Sequence, residues 1–79
     1  MKEIQLKKII CSATKIPLTK INEKLSSKTN EKWDSLAQLH ILSILDKKTN
    51  GKSAKINGLN QVLDYKKLVA LLKIKKIIE

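Results

Sequence analysis

Trp33-Asp34-Ser35-Leu36-Ala37-Gln38-Leu39 puts a helix-capping carboxylate directly ahead of a serine and of the most apolar segment in the chain. The side chain of Asp34 is placed to accept from the N–H groups that the first turn of a helix leaves unpaired. Apolar residues then recur at Leu36, Leu39, Leu42 and Leu45. The spacing predicts a helix over about Ser35 to Lys48 that packs inward, with the Ser35 hydroxyl facing out at its start. Ala37, Ile41 and Ile44 add apolar surface on other sides, which predicts a central helix touched by several neighbours. Asn50-Gly51 supplies the stop, since both residues take the left-handed cap conformation at low cost.

Working outward, an earlier helix is expected from about Lys2 to Thr14, with Ile4, Leu6, Ile9, Ile10 and Ala13 as its apolar stripe. Pro17 is expected to end it, because the residue before a proline is pushed out of the α region. The polar connection from Leu18 to Lys32 is long for a compact domain, and Leu18, Ile21 and Leu25 are its available anchors. After Gly51 a short helical turn is expected around Asn57 to Gln61, pinned by Ile56, Leu59 and Val62. Asp64 then caps a last helix from about Tyr65 to Ile77, packing Leu68, Val69, Leu71, Leu72 and Ile74, and its final residues are expected to fray. The fold class is therefore all-α, a small bundle of three longer helices and one short one with a long first loop, in one domain over residues 1–79.

The chain carries 17 lysines, no arginine and seven carboxylates, for a net charge of +10. Residues 1–33 hold eight lysines against Glu3, Glu23 and Glu31, and residues 47–79 hold nine against Asp64 and Glu79. Between them, residues 34–46 hold no lysine and two aspartates, Asp34 and Asp46, so the Ser35 helix is the one segment that is not basic. Cys11 has no partner for an intramolecular disulfide and reads as a small, inert thiol of the first helix. His40 has no second histidine and few carboxylates near it in sequence, so no metal-ligand set is apparent and a solvent-facing role is expected. No apolar run reaches the length of a membrane span or a signal-peptide core, which makes a cytoplasmic, monomeric protein the expectation.

Asp34-Ser35-Leu36, opening the second of three helices after a long polar loop, resembles the attachment motif of the acyl carrier protein family. The resemblance covers nearly the whole chain. Lys8-Ile9-Ile10 is similar to the end of that family's first helix, Ile21 to an anchor in its long loop, and Val62-Leu63-Asp64-Tyr65 to the start of its last helix. Trp33-Asp34-Ser35-Leu36 resembles its stand-alone, bacterial members.

The resemblance implies that Ser35 carries a covalent 4'-phosphopantetheine arm, taken from coenzyme A, whose thiol holds a thioester. Such a phosphoprotein serves fatty acid or polyketide biosynthesis, or carries an aminoacyl group, and is not itself an enzyme. Its partners would be a phosphopantetheinyl transferase, recognising Trp33, Asp34 and Leu36, and acyl-loading and acyl-transfer enzymes. Docking on those enzymes would fall to Gln38, His40, Ile41, Asp46 and Lys47. Here the chain departs from the family, which is acidic in this region, so the expectation is either partners with a less basic or even acidic surface or contact that depends more on Leu36, Ile41 and other apolar positions. Leu45, Ile56, Leu59 and Val62 would border a cargo pocket between the second and third helices.

Two other readings compete. With this charge the chain could be a basic helical nucleic-acid-binding module, but it has no arginine for bidentate contacts, no aromatic set for stacking and no helix-turn-helix spacing. It could also be a carrier-like interaction module without the arm, against which the retained Ser35 counts. Basic ends would suit an anionic membrane surface, but helices that bury their apolar stripes are expected to leave little to insert.

Overall fold

A computed structural model describes residues 1–78. Three α-helices form an all-α bundle: α1 over Glu3–Thr14, α2 over Ser35–Lys48 and α3 over Tyr65–Ile74. Single 3-10 turns interrupt the connections at Leu18–Lys20, Ser53–Lys55 and Leu59–Gln61. One hydrophobic cluster holds the elements together, with Leu6 and Ile10 of α1, Ile41 and Leu45 of α2, and Leu68 and Leu72 of α3 at its centre.

Both aspartate caps form as the sequence predicts. Asp34 accepts from the Ala37 N–H at 2.9 Å and Asp64 from the Lys67 N–H at 3.0 Å, each satisfying one of the orphan donors of its helix. Asn50 (φ 54°) and Gly51 (φ 83°) are both left-handed after α2, and the Gly51 N–H returns to the Asp46 carbonyl at 2.9 Å. α1, by contrast, stops ahead of its proline. Lys15 is already left-handed (φ 66°) and donates its N–H to Cys11, while the Thr14 hydroxyl bridges the Ile10 carbonyl and the Ile16 N–H. A buried hydroxyl thus closes the helix, and Pro17 only fixes the direction of the chain beyond it.

The long first connection is an ordered strap. Ile21 and Leu25 are buried as expected, whereas Leu18 is exposed and anchors nothing. Its middle is tied to the start of α3 by main-chain bonds, Ser27 N–H to the Leu63 carbonyl and Tyr65 N–H to the Leu25 carbonyl, both 2.9 Å, around a single antiparallel bridge between Ser26 and Asp64. The 3-10 turn at Leu59–Gln61 matches the expected short helix, and a second turn at Ser53–Lys55 precedes it.

Three expectations need correction. The inward face of α2 consists of Ala37, Gln38, Ile41 and Leu45, while Leu36 and Leu39 are each 62% exposed. A helix apolar on several sides does not fix its own rotation, and here the larger β-branched Ile41 and the small Ala37 take the interior. Ile4 and Ile74, read as packing residues, are exposed. α3 ends at Ile74, three residues early, because Lys76 turns left-handed (φ 59°). That reversal lets the Ile77 N–H reach the Leu72 carbonyl at 2.9 Å and buries Ile78, so residues 75–78 are packed down where fraying is expected, and Glu79 lies outside the described residues.

α1 and α3 are joined by one polar contact of consequence. The buried Tyr65 donates its hydroxyl to Glu3 Oε2 at 2.7 Å, with Lys73 Nζ 3.9 Å from Glu3 Oε1. Burial first, and then the Glu3 hydrogen bond and charge, push the Tyr65 phenol above its ordinary range. A phenol that resists ionisation in the fold but ionises freely in the unfolded chain costs stability as pH rises past the unfolded value of about 10. Urea denaturation of the wild type and Tyr65→Phe across that range is therefore expected to show the wild type losing stability faster than the variant above about pH 10. Parallel curves would contradict this coupling.

Candidate functional site

The start of α2 is built from residues 30–38. A turn closes when the Trp33 N–H donates to the Asn30 carbonyl at 3.1 Å, and Asn30 Oδ1 accepts from the Lys32 N–H at 3.0 Å. This turn drives the Trp33 indole into the core, where it is completely buried. An indole N–H placed there needs an acceptor, and Gln38 Oε1 provides it at 2.7 Å. The Gln38 amide nitrogen in turn donates to the Val62 carbonyl at 3.0 Å and lies 3.4 Å from that of Leu59. One buried amide therefore connects the residue before the cap, the helix itself and the connection leading to α3.

Above this brace the chain turns outward. Asp34 is extended (φ −98°, ψ −174°) and exposed, and Ser35, the first residue of α2, is exposed beside it. The N–H groups of Ser35 and Leu36 have no acceptor among the described residues. They face the same solvent as the Ser35 hydroxyl, at the positive end of the helix dipole. A phosphodiester formed there would gain about 0.3–1 kcal/mol from that field. His40 is exposed more than one turn further along, and the Asp34 carboxylate beside Ser35 is engaged by the Ala37 N–H. The serine is displayed at the surface.

The remaining predicted residues divide. At 3.6 residues per turn, Ser35, Leu36, Leu39, His40, Ser43, Asp46 and Lys47 share the solvent side of α2, and all are exposed. Of the residues expected to dock partners, His40, Asp46 and Lys47 are therefore available. Gln38 (4% exposed) and Ile41 (fully buried) are not, because both belong to the core face. Trp33 is likewise out of reach of another protein and supports the motif from beneath. Leu39, expected to pack inward, instead stands one turn beyond Ser35 on the same side and is as exposed as Leu36. Pattern reading missed the role of Gln38. Its signal was the lone tryptophan five positions earlier, whose buried N–H demands an uncharged acceptor nearby.

Of the expected cargo residues, Ile56 and Leu59 line an open groove of about 400 Å3 between α2 and residues 53–60, together with Leu42, Asp46, Ser53 and Asn60. Leu45 and Val62 do not line it. Leu45 points into the core, and the rotation of α2 gives its place at the groove to Leu42 and Asp46. A second, larger groove of about 560 Å3 lies between α1 and α2, lined by Ile9, Ile44, Lys8 and Lys48, toward the far end of α2 from Ser35.

Among the described residues no group of three or more His, Cys, Asp or Glu side chains is arranged to hold a metal ion. No helix is long and apolar enough to cross a membrane. No protein-family model matches the chain, and neither a curated protein nor a solved structure matches it.

The brace and the cap make separable contributions. Gln38→Ala is expected to cost about 1–3 kcal/mol for each buried partner it orphans, the Trp33 N–H and the Val62 carbonyl. Asp34→Ala is expected to cost about 0.5–2 kcal/mol, largely recovered by Asp34→Asn, because an asparagine side chain still caps. Urea denaturation reads both. A Gln38→Ala protein no less stable than the exposed-site control His40→Ala would contradict the role given to the brace.

Proposed function

We propose that this chain is an acyl carrier protein whose Ser35 bears 4'-phosphopantetheine and whose thiol tip carries acyl or aminoacyl thioesters between partner enzymes. The observation that carries the reading is the placement of Ser35: an exposed, unengaged hydroxyl on the first residue of a capped helix, above a fully packed base. A hydroxyl that is to be a substrate needs access and a fixed position, and this one has both. The resemblance of Asp34-Ser35-Leu36 and of the element order to the carrier family supports the same conclusion.

In the loading step the Ser35 oxygen forms a bond to the β-phosphorus of coenzyme A. The pyrophosphate bond breaks, and adenosine 3',5'-bisphosphate leaves. The hydroxyl proton passes to a base of the transferase. Asp34 has two roles in this scheme, capping α2 and presenting a carboxylate beside the reacting oxygen. The carrier catalyses nothing itself.

Partner enzymes on this reading meet the solvent side of α2. That side offers Leu36 and Leu39 as paired apolar contacts, with Asp46 as its carboxylate beyond the cap and Lys47 next to it. Recognition therefore depends more on apolar contact than on a row of acids. The groove bordered by Leu42, Ile56 and Leu59 is the place for the proximal part of a bound chain to shelter.

Intact-protein mass spectrometry after incubation with coenzyme A and a broad-specificity phosphopantetheinyl transferase tests the proposal. The wild type is expected to gain one phosphopantetheine. Ser35→Ala is expected to gain none while keeping its helical circular dichroism. Loading of Ser35→Ala, or no loading of a wild-type chain to which the transferase demonstrably binds, would overturn the assignment in favour of an interaction module without the arm.

A further inference from the structure

The far end of the bundle from Ser35 carries a different kind of surface. α2 spans about 20 Å from Ser35 to Lys48, and at its C-terminal end the chain ends of α2 and α3 converge. Two adjoining grooves open there. One is lined by Lys48, Lys52, Lys76 and Ile77, the other by Lys52, Lys55, Lys75, Lys76 and Ile56. No carboxylate is among the described residues lining either groove.

Helix chemistry explains only part of this cluster. Lys47, Lys48 and Lys73 lie in the last turns of α2 and α3, where a cation complements the helix dipole. Lys75 and Lys76 stand at the C-terminal cap of α3, whereas Lys52 and Lys55 lie past the end of α2, outside its last turn. The one ion pair among the described residues is Lys73 with Glu3, so none of the five groove lysines is paired with a carboxylate of the described residues. Gathering like charges in this way opposes folding, and the repulsion is relieved by an anionic surface outside the molecule.

The apolar residues around the cluster distinguish the kinds of anionic surface. Ile74, between Lys73 and Lys75, is 73% exposed, and it follows Lys67 and Ala70 along the outer side of α3. Ile77 is half-buried at the rim of both grooves. Phosphates and bases gain little from an aliphatic anchor set among lysines. A nucleic-acid reader needs stacking faces or guanidinium forks, but Trp33 and Tyr65 are both buried and the chain has no arginine. A lipid headgroup layer reads compact point charges without geometric demands and accepts an aliphatic side chain at its surface.

We infer that the lysine-rich end of the bundle, Lys48, Lys52, Lys55, Lys75 and Lys76 with Ile74 at its margin, is a docking surface for an anionic phospholipid membrane. Binding is peripheral, because no helix of the described chain can cross a bilayer. Ser35, at the other end of α2, is left facing away from the lipid. The inference does not rest on the carrier reading, since none of its residues takes part in that site.

Vesicle flotation tests it, comparing phosphatidylcholine vesicles with and without phosphatidylglycerol, at low and high salt, with a labelled single-stranded oligonucleotide titrated in parallel. The expected result is binding only to the phosphatidylglycerol vesicles, collapsing as salt rises. Each lysine removed in Lys75→Gln and Lys52→Gln should lower the partition about fivefold. Ile74→Ser should lower it several-fold with the salt dependence unchanged, while Lys28→Gln in the first connection should lower it by less than either groove lysine. Failure to bind the anionic vesicles would overturn the inference. So would equal binding to both vesicle types, or vesicle binding indifferent to Ile74→Ser. Oligonucleotide binding that outlasts vesicle binding at the same salt would reassign the surface to nucleic acid.

Discussion

The hydrogen bond from the Trp33 indole to the Gln38 side chain is the contact on which the rest of the arrangement depends. A tryptophan is the largest side chain the core has to accommodate, and its N–H is costly to bury unpaired. Gln38 meets that need and passes the connection on to the Val62 carbonyl. The register of α2 is fixed in part by it: with Gln38 inward, Leu45 also faces the core, Leu36 and Leu39 are turned out, and Ile41 and Ser35 lie on opposite flanks, one buried and the other exposed at the helix start. The exposed serine therefore opens a helix whose first turns are held from beneath by a buried amide.

The two ends of α2 are chemically unlike. At its start, exposed leucines, an aspartate cap and free N–H groups surround a hydroxyl in a segment without lysine. At its end, lysines from three parts of the chain gather around shallow grooves. Covalent attachment and partner contact suit the first environment, and long-range attraction to an anionic surface suits the second. On the proposed reading the separation along α2 would let both operate on one small bundle, because salt screening confines each field to its own neighbourhood.

Much of this was legible in the residues alone. Asp34, Asp64 and Asn50-Gly51 set three of the six helix ends by local chemistry, and Ile21 and Leu25 stood out as the apolar residues of a polar strap. The rotation of α2 was not legible, since its apolar residues surround it and its mean pattern points nowhere in particular. Gln38 was read as wet because an amide usually is, and only the demand of a neighbouring indole reverses that preference. The end of α3 was hidden for a related reason: Lys75-Lys76-Ile77-Ile78 continues the helical pattern, and the left-handed turn at Lys76 is fixed by where Ile78 packs. Of the four residues expected at a pocket between α2 and α3, Ile56 and Leu59 line the groove and Leu45 and Val62 do not, because the groove depends on the rotation of α2.

The claim that the serine stands on a rigid, internally braced base is tested most directly by hydrogen exchange of the Trp33 indole N–H, followed by NMR. The account predicts exchange slowed to the rate of global unfolding, because releasing that proton requires breaking the bond to Gln38 inside the core. Exchange as fast as in an unstructured peptide would mean that the indole is not held there, and the account of how Ser35 is positioned would fail with it.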